Sequence, residues 1–442
     1  MKTYNIAIIG AGPSGYFTAQ AFQNQESKDL IFNVDLFERL PTPWGLVRSG
    51  VAPDHQKIKD ISKVFEKIAE HKNFRLFANI NVGIDIELSQ LQEEYDAVVL
   101  ATGASDGKRL NIPGEQLKNV FSSAEFVPWY NAHPEFGNLE VDLNIKRAVI
   151  IGGGNVALDV ARVLLKDPKM LATTDINIRS QTLLENSKIR EVVICTRRGP
   201  EHSSFTSLEL RNLINLPNIQ VKFDKKEIRS AMKRINSNTN DLDIRKKIEI
   251  MNGVAKLDTV SNEKLLSFRF LHEPINFVGI KKVTGVQFSI KEIKNESISS
   301  LNMTKTINCG MVITAIGYEP NPLKSVEVIN GKLINSQGKI IGNLFCVGWA
   351  KRGSTGVIGT NKKDAQIVVE SILKSLTKPK RSSAISKSFF RNIDYVSQRG
   401  WQKINERELT RGRELGKVRF KETSKRLLIN WSKSNDPLDR NY

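Results

Sequence analysis

Tyr4-Asn5-Ile6-Ala7-Ile8-Ile9-Gly10-Ala11-Gly12-Pro13-Ser14-Gly15 decides how the rest of the chain is read. A short apolar run enters a glycine turn at once, and residues 16–22 continue as the first turns of a helix. Strand, turn and helix in that order are the context in which such glycines read as a dinucleotide fingerprint. Gly10 permits the tight turn, Gly12 lets the backbone approach a pyrophosphate, and Gly15 lets helix and strand pack closely. The start of the helix then offers unpaired N–H groups to the phosphates. A second apolar run, residues 32–37, ends in Glu38, 23 residues past Gly15, where an acid can hold ribose hydroxyls.

The same grammar returns at Ala148-Val149-Ile150-Ile151-Gly152-Gly153-Gly154-Asn155-Val156-Ala157, with Ala157 in place of the last glycine and a helix to about residue 166. The strand that follows, residues 191–196, ends in Arg197-Arg198-Gly199 instead of an acid. Two guanidiniums at that point suit a 2′-phosphate, which favours planar bidentate cations, so the second nucleotide reads as NADP rather than NAD. Two arginines that merely cap a strand at the surface are the plainer alternative. Fingerprints about 140 residues apart imply two nucleotide units, one for a flavin and one for nicotinamide.

A chain of 442 residues has room for two or three domains, and its 40% apolar and 26% charged composition is that of a soluble globular protein. No apolar run approaches the ~18 residues of a membrane span. The first strand begins near residue 4, which leaves no space for a leader, so a cytoplasmic protein is expected, or a processed organellar one. Cys195, Cys309 and Cys346 stand far apart in apolar runs and read as buried thiols. That excludes a dithiol redox motif and a cysteine-held iron–sulfur cluster on this chain. The net charge of +19, from 66 Lys and Arg against 47 Asp and Glu, favours an acidic partner, nucleic acid or an anionic surface. The charges are spread along the chain, as they also are on a plain solvated lysine-rich surface.

Between the fingerprints, residues 39–55 form a loop rich in Pro and Gly that carries Trp44, Arg48 and His55, a mixture found in functional loops. Ile58, Ile61, Val64, Phe65 and Ile68 recur at helical spacing over residues 57–71 and predict a buried stripe. Short strands are expected at 74–77 and 81–86, a buried strand at 95–100 and a linker at 106–115. Residues 222–257 are polar and basic and read as a mobile or weakly helical insertion, with strands returning at 267–270, 285–290 and 310–316. Thr314-Ala315-Ile316-Gly317 echoes Ala101-Thr102-Gly103, which marks two chain crossings between units. A buried strand at 343–349 leads to a glycine-spaced loop, 350–361, and a helix to residue 373 whose start can face a flavin's electron-rich edge. Beyond residue 378 the chain is basic and polar, with a helix near 396–409 and a tail of undefined order.

With these pieces in place the chain resembles the adrenodoxin reductase-type ferredoxin–NADP reductases, particularly their bacterial members. The resemblance rests on GAGPSGYFTA, LPTPWGLVRSGVAPDH, NVGIDI, GGGNVALDVARVLL, RRGPEHSSFTSLELR, VGWAKRGSTGVIGTNKKDAQ, the GWQKI from Gly400 and the later RGRELGK, and runs to about Val418. It implies an α/β fold of two Rossmann-like domains, with an NADP domain (107–318) inserted into a discontinuous FAD domain (1–106 and 319–442). By position it places FAD on Gly12, Ser14, Glu38, Leu46, Val82, Trp349, Gly356, Val357 and Ile358. NADP falls on Gly154, Asn155 and Val156, with Arg197 and Arg198 on its phosphate and Glu209 nearby. His55 and Glu209 match positions tied to hydride-transfer geometry or proton handling. A loop histidine that only fixes backbone is the alternative for His55. The sequence after Gly317-Tyr318 departs from the family pattern at Glu319-Pro320-Asn321-Pro322, and the tail after about Lys421 has no counterpart.

The activity implied is NADPH:ferredoxin oxidoreduction, with hydride passing to FAD N5 and single electrons to an acidic [2Fe–2S] ferredoxin, on a monomer with no metal site of its own. The basic surface would steer that encounter, with docking expected around Arg48 and in 225–247. Another flavoenzyme of the same fold, such as a monooxygenase or an electron-supplying subunit, is the first rival. A basic redox flavoprotein that binds nucleic acid is the second, and the chain has no aromatic-interleaved basic motif to support it.

Overall fold

The computed structural model describes residues 2–238, 241–257, 264–294, 297–321, 323–324, 326–381, 386–390 and 393–434. Two six-stranded sheets organise it. In the first, the spatial order is Lys339–Ile341, Leu344–Cys346, Ala97–Leu100, Lys2–Ile9, Leu30–Glu38 and Phe74–Ala78. All its pairings are parallel except that of the edge hairpin 339–346. In the second the order is Val120–Ser122, Met311–Thr314, Arg147–Ile151, Glu191–Cys195, Lys264–Arg269 and Ile219–Lys222, parallel throughout. Strands buried on both faces read as continuous apolar runs, as Ile6–Ile9 and Ala148–Ile151 do. A three-stranded antiparallel sheet, His272–Gly279, Val283–Lys294 and Ser297–Asn308, is appended to the second unit.

Each central strand turns at once into a helix. Lys2–Ile9 leads to α1 (Pro13–Gln23), with Pro13 in the first turn where its missing N–H costs nothing. The stripe expected over 57–71 is divided between a single turn, Gln56–Lys59, and α2 (Ser62–Ala69). Phe65 and Ile68 are buried, but Ile58 and Val64 are exposed. Lys59 takes the inward position instead, with Nζ 2.7 and 2.8 Å from the two oxygens of Asp175. A charge held by a partner 116 residues away broke a pattern that hydropathy alone made core.

In the second unit α3 (Asn155–Leu165) follows the glycine turn, and α4 (Ser207–Ile214) follows the segment after Arg197 and Arg198. The basic insertion is a pair of regular helices, α5 (Lys225–Asn238) and α6 (Leu242–Lys256). Ile228, Ala231 and Ile235 on one, with Ile248, Met251 and Ala255 on the other, recur at helical spacing and pack into the core around Phe268. Their lysines and arginines conceal an ordinary amphipathic hairpin. The expected strand at 81–86 is a tight turn with one Val82–Ile86 bridge, closed by Asp85 accepting from the Asn81 N–H at 2.7 Å. The expected linker is ordered as well: Asp106–Gly107 pairs with Tyr318–Glu319, and Glu115 accepts from the N–H groups of Leu110 and Asn111.

The last segment returns to the first unit. After α7 (Thr360–Ser375) come α8 (Gln398–Glu414) and α9 (Lys425–Lys433), capped by the hydroxyls of Ser397 and Ser424. Trp401, Ile404, Leu428 and Trp431 join the core that holds Tyr16, Phe65 and Phe74. All three cysteines are buried and free. Among the described residues no helix is long and apolar enough to cross a membrane. Pro322, at the departure from the family pattern, and tail residues 435–442 lie outside the described residues.

Candidate functional site

The two glycine turns are built alike. Gly10 (φ 110°) and Gly152 (φ 140°) adopt backbone open to glycine, and each lies against the carbonyl at a chain crossing. A Cβ on Gly10 would sit 2.4 Å from the Ala101 oxygen, and one on Gly152 would sit 2.1 Å from the Ala315 oxygen. Gly12 is different, because a Cβ there would meet nothing nearer than the Gly45 Cα at 4.0 Å. Its outer face is an open cradle. α1 and α3 start on Gly12 and Gly154 with no side-chain cap, while Thr206, Asp241, Ser397 and Ser424 cap their own helices. First turns with no side-chain cap leave backbone donors for another acceptor, which is the donor set a pyrophosphate needs.

Glu38 stands beside the first turn and accepts from the N–H groups of Ala11 and Leu40, both at 3.0 Å. Burial pushes its carboxyl above the usual range, and these backbone donors partly offset that. Ser14 donates to the Asn361 side chain at 3.1 Å, which ties the start of α1 to the start of α7. Val82 is buried in the turn after Phe74–Ala78. Leu46 and Val357 are exposed, Gly356 is a left-handed residue (φ 84°), and Ile358 packs at the edge of the first core. Trp349 donates from its indole to the Thr355 carbonyl at 3.0 Å and stacks near Tyr318, with ring centroids 6.0 Å apart. The residues carried over for FAD therefore furnish an open glycine face, an acid and an uncapped helix, which fit that cofactor.

In the second unit Arg197 and Arg198 are exposed at the end of Glu191–Cys195. The chain then doubles back over the glycine turn: Ser204 and Phe205 donate to the Gly153 carbonyl at 2.7 and 3.0 Å. Asn155 accepts from the Thr206 N–H at 2.9 Å, and Val156 lies in the uncapped turn. This return places Glu209 in the first turn of α4, where an acid complements the helix dipole.

Glu209 meets His55 there, with Nε2 and Oε2 3.8 Å apart. The sequence reading paired these two but missed what surrounds them. Asp54 holds Arg162 through two hydrogen bonds (2.9 and 3.1 Å) and Lys166 at 2.9 Å, and Arg162 also pairs with Asp159 at 2.8 Å and approaches Glu209 at 3.7 Å. Asp159 and Arg162, three apart in a helix otherwise apolar from Val156 to Leu165, were the available signal. Burial would raise the Asp54 carboxyl, but Arg162 and Lys166 hold it well below its usual range. Burial, reinforced by Arg162, pushes the His55 imidazole down, so the neutral ring is favoured. Among the described residues the buried hydroxyl of Tyr130 and Oε2 of Glu209 find no hydrogen-bond partner. One ligand atom each from His55, Asp159 and Glu209 lie within 4.8 Å of one another, and the Arg162 guanidinium already supplies the positive charge among them.

The expected docking residues are only partly available. Arg48 is buried and its guanidinium is committed to Glu408 at 2.5 and 2.8 Å. Lys247 is buried with Nζ on the Ser203 carbonyl, and Arg234 pairs with Glu201. Lys225, Lys226, Arg229, Lys233, Arg245 and Lys246 remain exposed on α5 and α6.

Comparison with known proteins agrees with this geometry. Residues 4–198 match the pyridine nucleotide-disulphide oxidoreductase family model. The chain is 41% identical to NADPH-ferredoxin reductase FprA of Mycobacterium tuberculosis, over 95% of this chain and 97% of that one. It is 33% identical to the mitochondrial NADPH:adrenodoxin oxidoreductase of Salvelinus fontinalis, over 94% of this chain and 88% of the other. The solved structure of Mycobacterium tuberculosis FprA in complex with NADPH superposes with a TM-score of 0.92 at 38% identity, covering 98% of this chain and all of that one.

Proposed function

The chain belongs to the adrenodoxin reductase-type family of ferredoxin–NADP reductases, and we propose that it is an FAD-dependent NADPH:ferredoxin oxidoreductase. The observation that carries this reading is the meeting of Asp54 and His55, from the loop beside the first glycine turn, with Asp159, Arg162 and Glu209 beside the second. When bound, FAD supplies what no side chain here has: it accepts a hydride's electron pair and releases electrons singly. The protein's part is positioning and charge.

In this reading Gly12, Ser14, Glu38, Leu46, Val82, Trp349 and 356–358 hold FAD in a domain made of 1–106 and 319–442. Gly154, Asn155 and Val156, with Arg197 and Arg198 on the 2′-phosphate, hold NADPH on the inserted domain, 107–318. The neutral His55 ring, from the loop after the first glycine turn, and the Glu209 carboxylate, beside the second, face each other between the residues that would hold the two nucleotides. They set the approach of the nicotinamide and order the proton at Nε2. The partner is an acidic [2Fe–2S] ferredoxin drawn by the exposed basic residues of α5 and α6, and the enzyme works as a cytoplasmic monomer.

Anaerobic cytochrome c reduction by the FAD-loaded protein, with NADPH or NADH and with or without a [2Fe–2S] ferredoxin, tests this. The expected result is strong stimulation by ferredoxin, preference for NADPH, and a ferredoxin-dependent rate that falls as salt rises over a Debye length of about 10 to 3 Å. Bleaching of the flavin by NADPH with no ferredoxin effect would refute the assignment.

A further inference from the structure

The C-terminal helices grip one loop of the FAD unit from several sides. Trp44 has a left-handed backbone (φ 83°) that a side chain as large as indole rarely adopts, so its surroundings must hold it. Its N–H donates to the Ala11 carbonyl at 2.7 Å, inside the first glycine turn. The next residue, Gly45 (φ 51°), lies so close to Gly12 that a Cβ would come within 3.0 Å of the Gly12 Cα. The loop 44–49 is therefore one wall of the cradle. What holds that wall comes from the far end of the chain.

The Glu408 carboxylate on α8 is fully buried and uses both oxygens. It accepts two hydrogen bonds from Arg48 (2.5 and 2.8 Å), one from Arg419 (3.1 Å) and one from the Glu422 N–H (3.1 Å). The Trp401 ring meets Trp44 edge-on at 4.9 Å, the Arg419 guanidinium lies over Trp44 at 5.4 Å, and Arg48 lies over Trp401 at 5.6 Å. Lys421 donates to the Arg48 carbonyl at 3.0 Å and reaches Asp175 of the other unit at 3.1 Å.

We infer that Glu408 is a positioning residue for the flavin: it anchors Arg48, and through Arg48 and Trp44 fixes the wall of the cradle against Gly12. This rests on the FAD reading above. A buried carboxylate that neutralises two guanidiniums leaves both uncompensated when it is lost, so the loop that carries one of them must shift. Trp44 then relaxes toward ordinary backbone, and the wall moves away from the turn.

The full-length chain carrying Glu408→Gln is the direct test. Trp401→Leu removes the ring from Trp44 without altering charge, and Lys433→Ala, at the end of α9 in an exposed pair with Asp394, is the control. Hydrogen exchange of residues 44–51 in the FAD-free protein, the FAD dissociation constant, the absorption band shape of bound flavin, and NADPH–ferricyanide kinetics are read together. Glu408→Gln and Trp401→Leu should each speed exchange at 44–51 but not at 97–100 and weaken FAD about tenfold. They should lower kcat about tenfold with the KM for NADPH within about twofold. Lys433→Ala should match the parent. If Glu408→Gln fails to fold, Trp401→Leu alone decides by the same signature. Unchanged exchange and flavin spectrum in folded variants overturn the inference, as does a rise confined to the KM for NADPH. A parent chain that binds no FAD would refute the functional reading and this role with it, whereas normal loading of both variants refutes this role alone.

Discussion

His55 Nε2 lies 3.8 Å from Glu209 Oε2, although the two residues come from different nucleotide units and stand 154 positions apart. At that distance the contact is an approach rather than a hydrogen bond, and burial with Arg162 keeps the imidazole neutral. Because the folded ring takes up a proton only below the range of a free histidine, hydride transfer that depends on neutral His55 should persist below pH 6.5. Removing Glu209, which favours the charged ring, should lower the His55 pKa further. Glu209→Gln and His55→Gln should each slow flavin reduction in stopped flow by about tenfold to a hundredfold, with small changes in NADPH affinity. Only Glu209→Gln should shift the acid limb of the pH profile downward.

Arg197 and Arg198 are exposed, so solvent leaves them free to meet a dianion. Each charge-assisted contact to a phosphate is worth about 1.5–3 kcal/mol, or roughly ten- to a hundredfold in affinity. Arg197→Ala with Arg198→Ala should therefore raise the KM for NADPH by about a hundredfold or more and leave NADH kinetics nearly as they were. An equal loss for both coenzymes would place the arginines elsewhere than on the 2′-phosphate.

Gly10→Ala and Gly152→Ala should separate the two nucleotides. Each added Cβ would overlap a carbonyl oxygen, at 2.4 and 2.1 Å, on a backbone that alanine tolerates poorly. Left-handed backbone alone costs about 1–2 kcal/mol in a residue with a Cβ. Gly152→Ala should purify yellow but fail to saturate with NADPH, while Gly10→Ala should purify largely without flavin. Thermal unfolding followed at 450 nm and by circular dichroism distinguishes the two outcomes.

His133 gives stability a pH dependence. Burial lowers its pKa to about 4, so between pH 6.5 and 4 the unfolded chain binds a proton that the folded chain refuses. Its contribution is complete above about pH 6.5, shrinks as pH falls, and is lost below about pH 4, at most about 3 kcal/mol. His133→Asn should flatten the denaturant midpoint across that window and leave it unchanged at pH 8. A wild-type slope in the variant would assign the dependence to another group.

Much of the fold and part of the candidate site's geometry were legible because their signals are local. Glycine turns, the acid at Glu38 and the arginine pair all sit within a few residues of the strand ends that give them meaning. The partners of Asp54, Lys59, Arg48 and Glu408 could not be read that way. Asp54 with Arg162, Lys59 with Asp175 and Arg48 with Glu408 are ion pairs closed across 108, 116 and 360 residues, and an isolated charge in sequence reads as solvated. The segment 222–257, expected to be mobile or weakly helical, is indeed helical but regular and packed, because its lysines mask an apolar spacing.

The carbonyls of Ala101 and Ala315 press on the first glycine of each turn, and both residues stand where the chain leaves one sheet for the other. The backbone that joins the sheets therefore packs directly on both glycine turns. The same two contacts that forbid a side chain at each turn thus tie that turn to the backbone joining the two sheets.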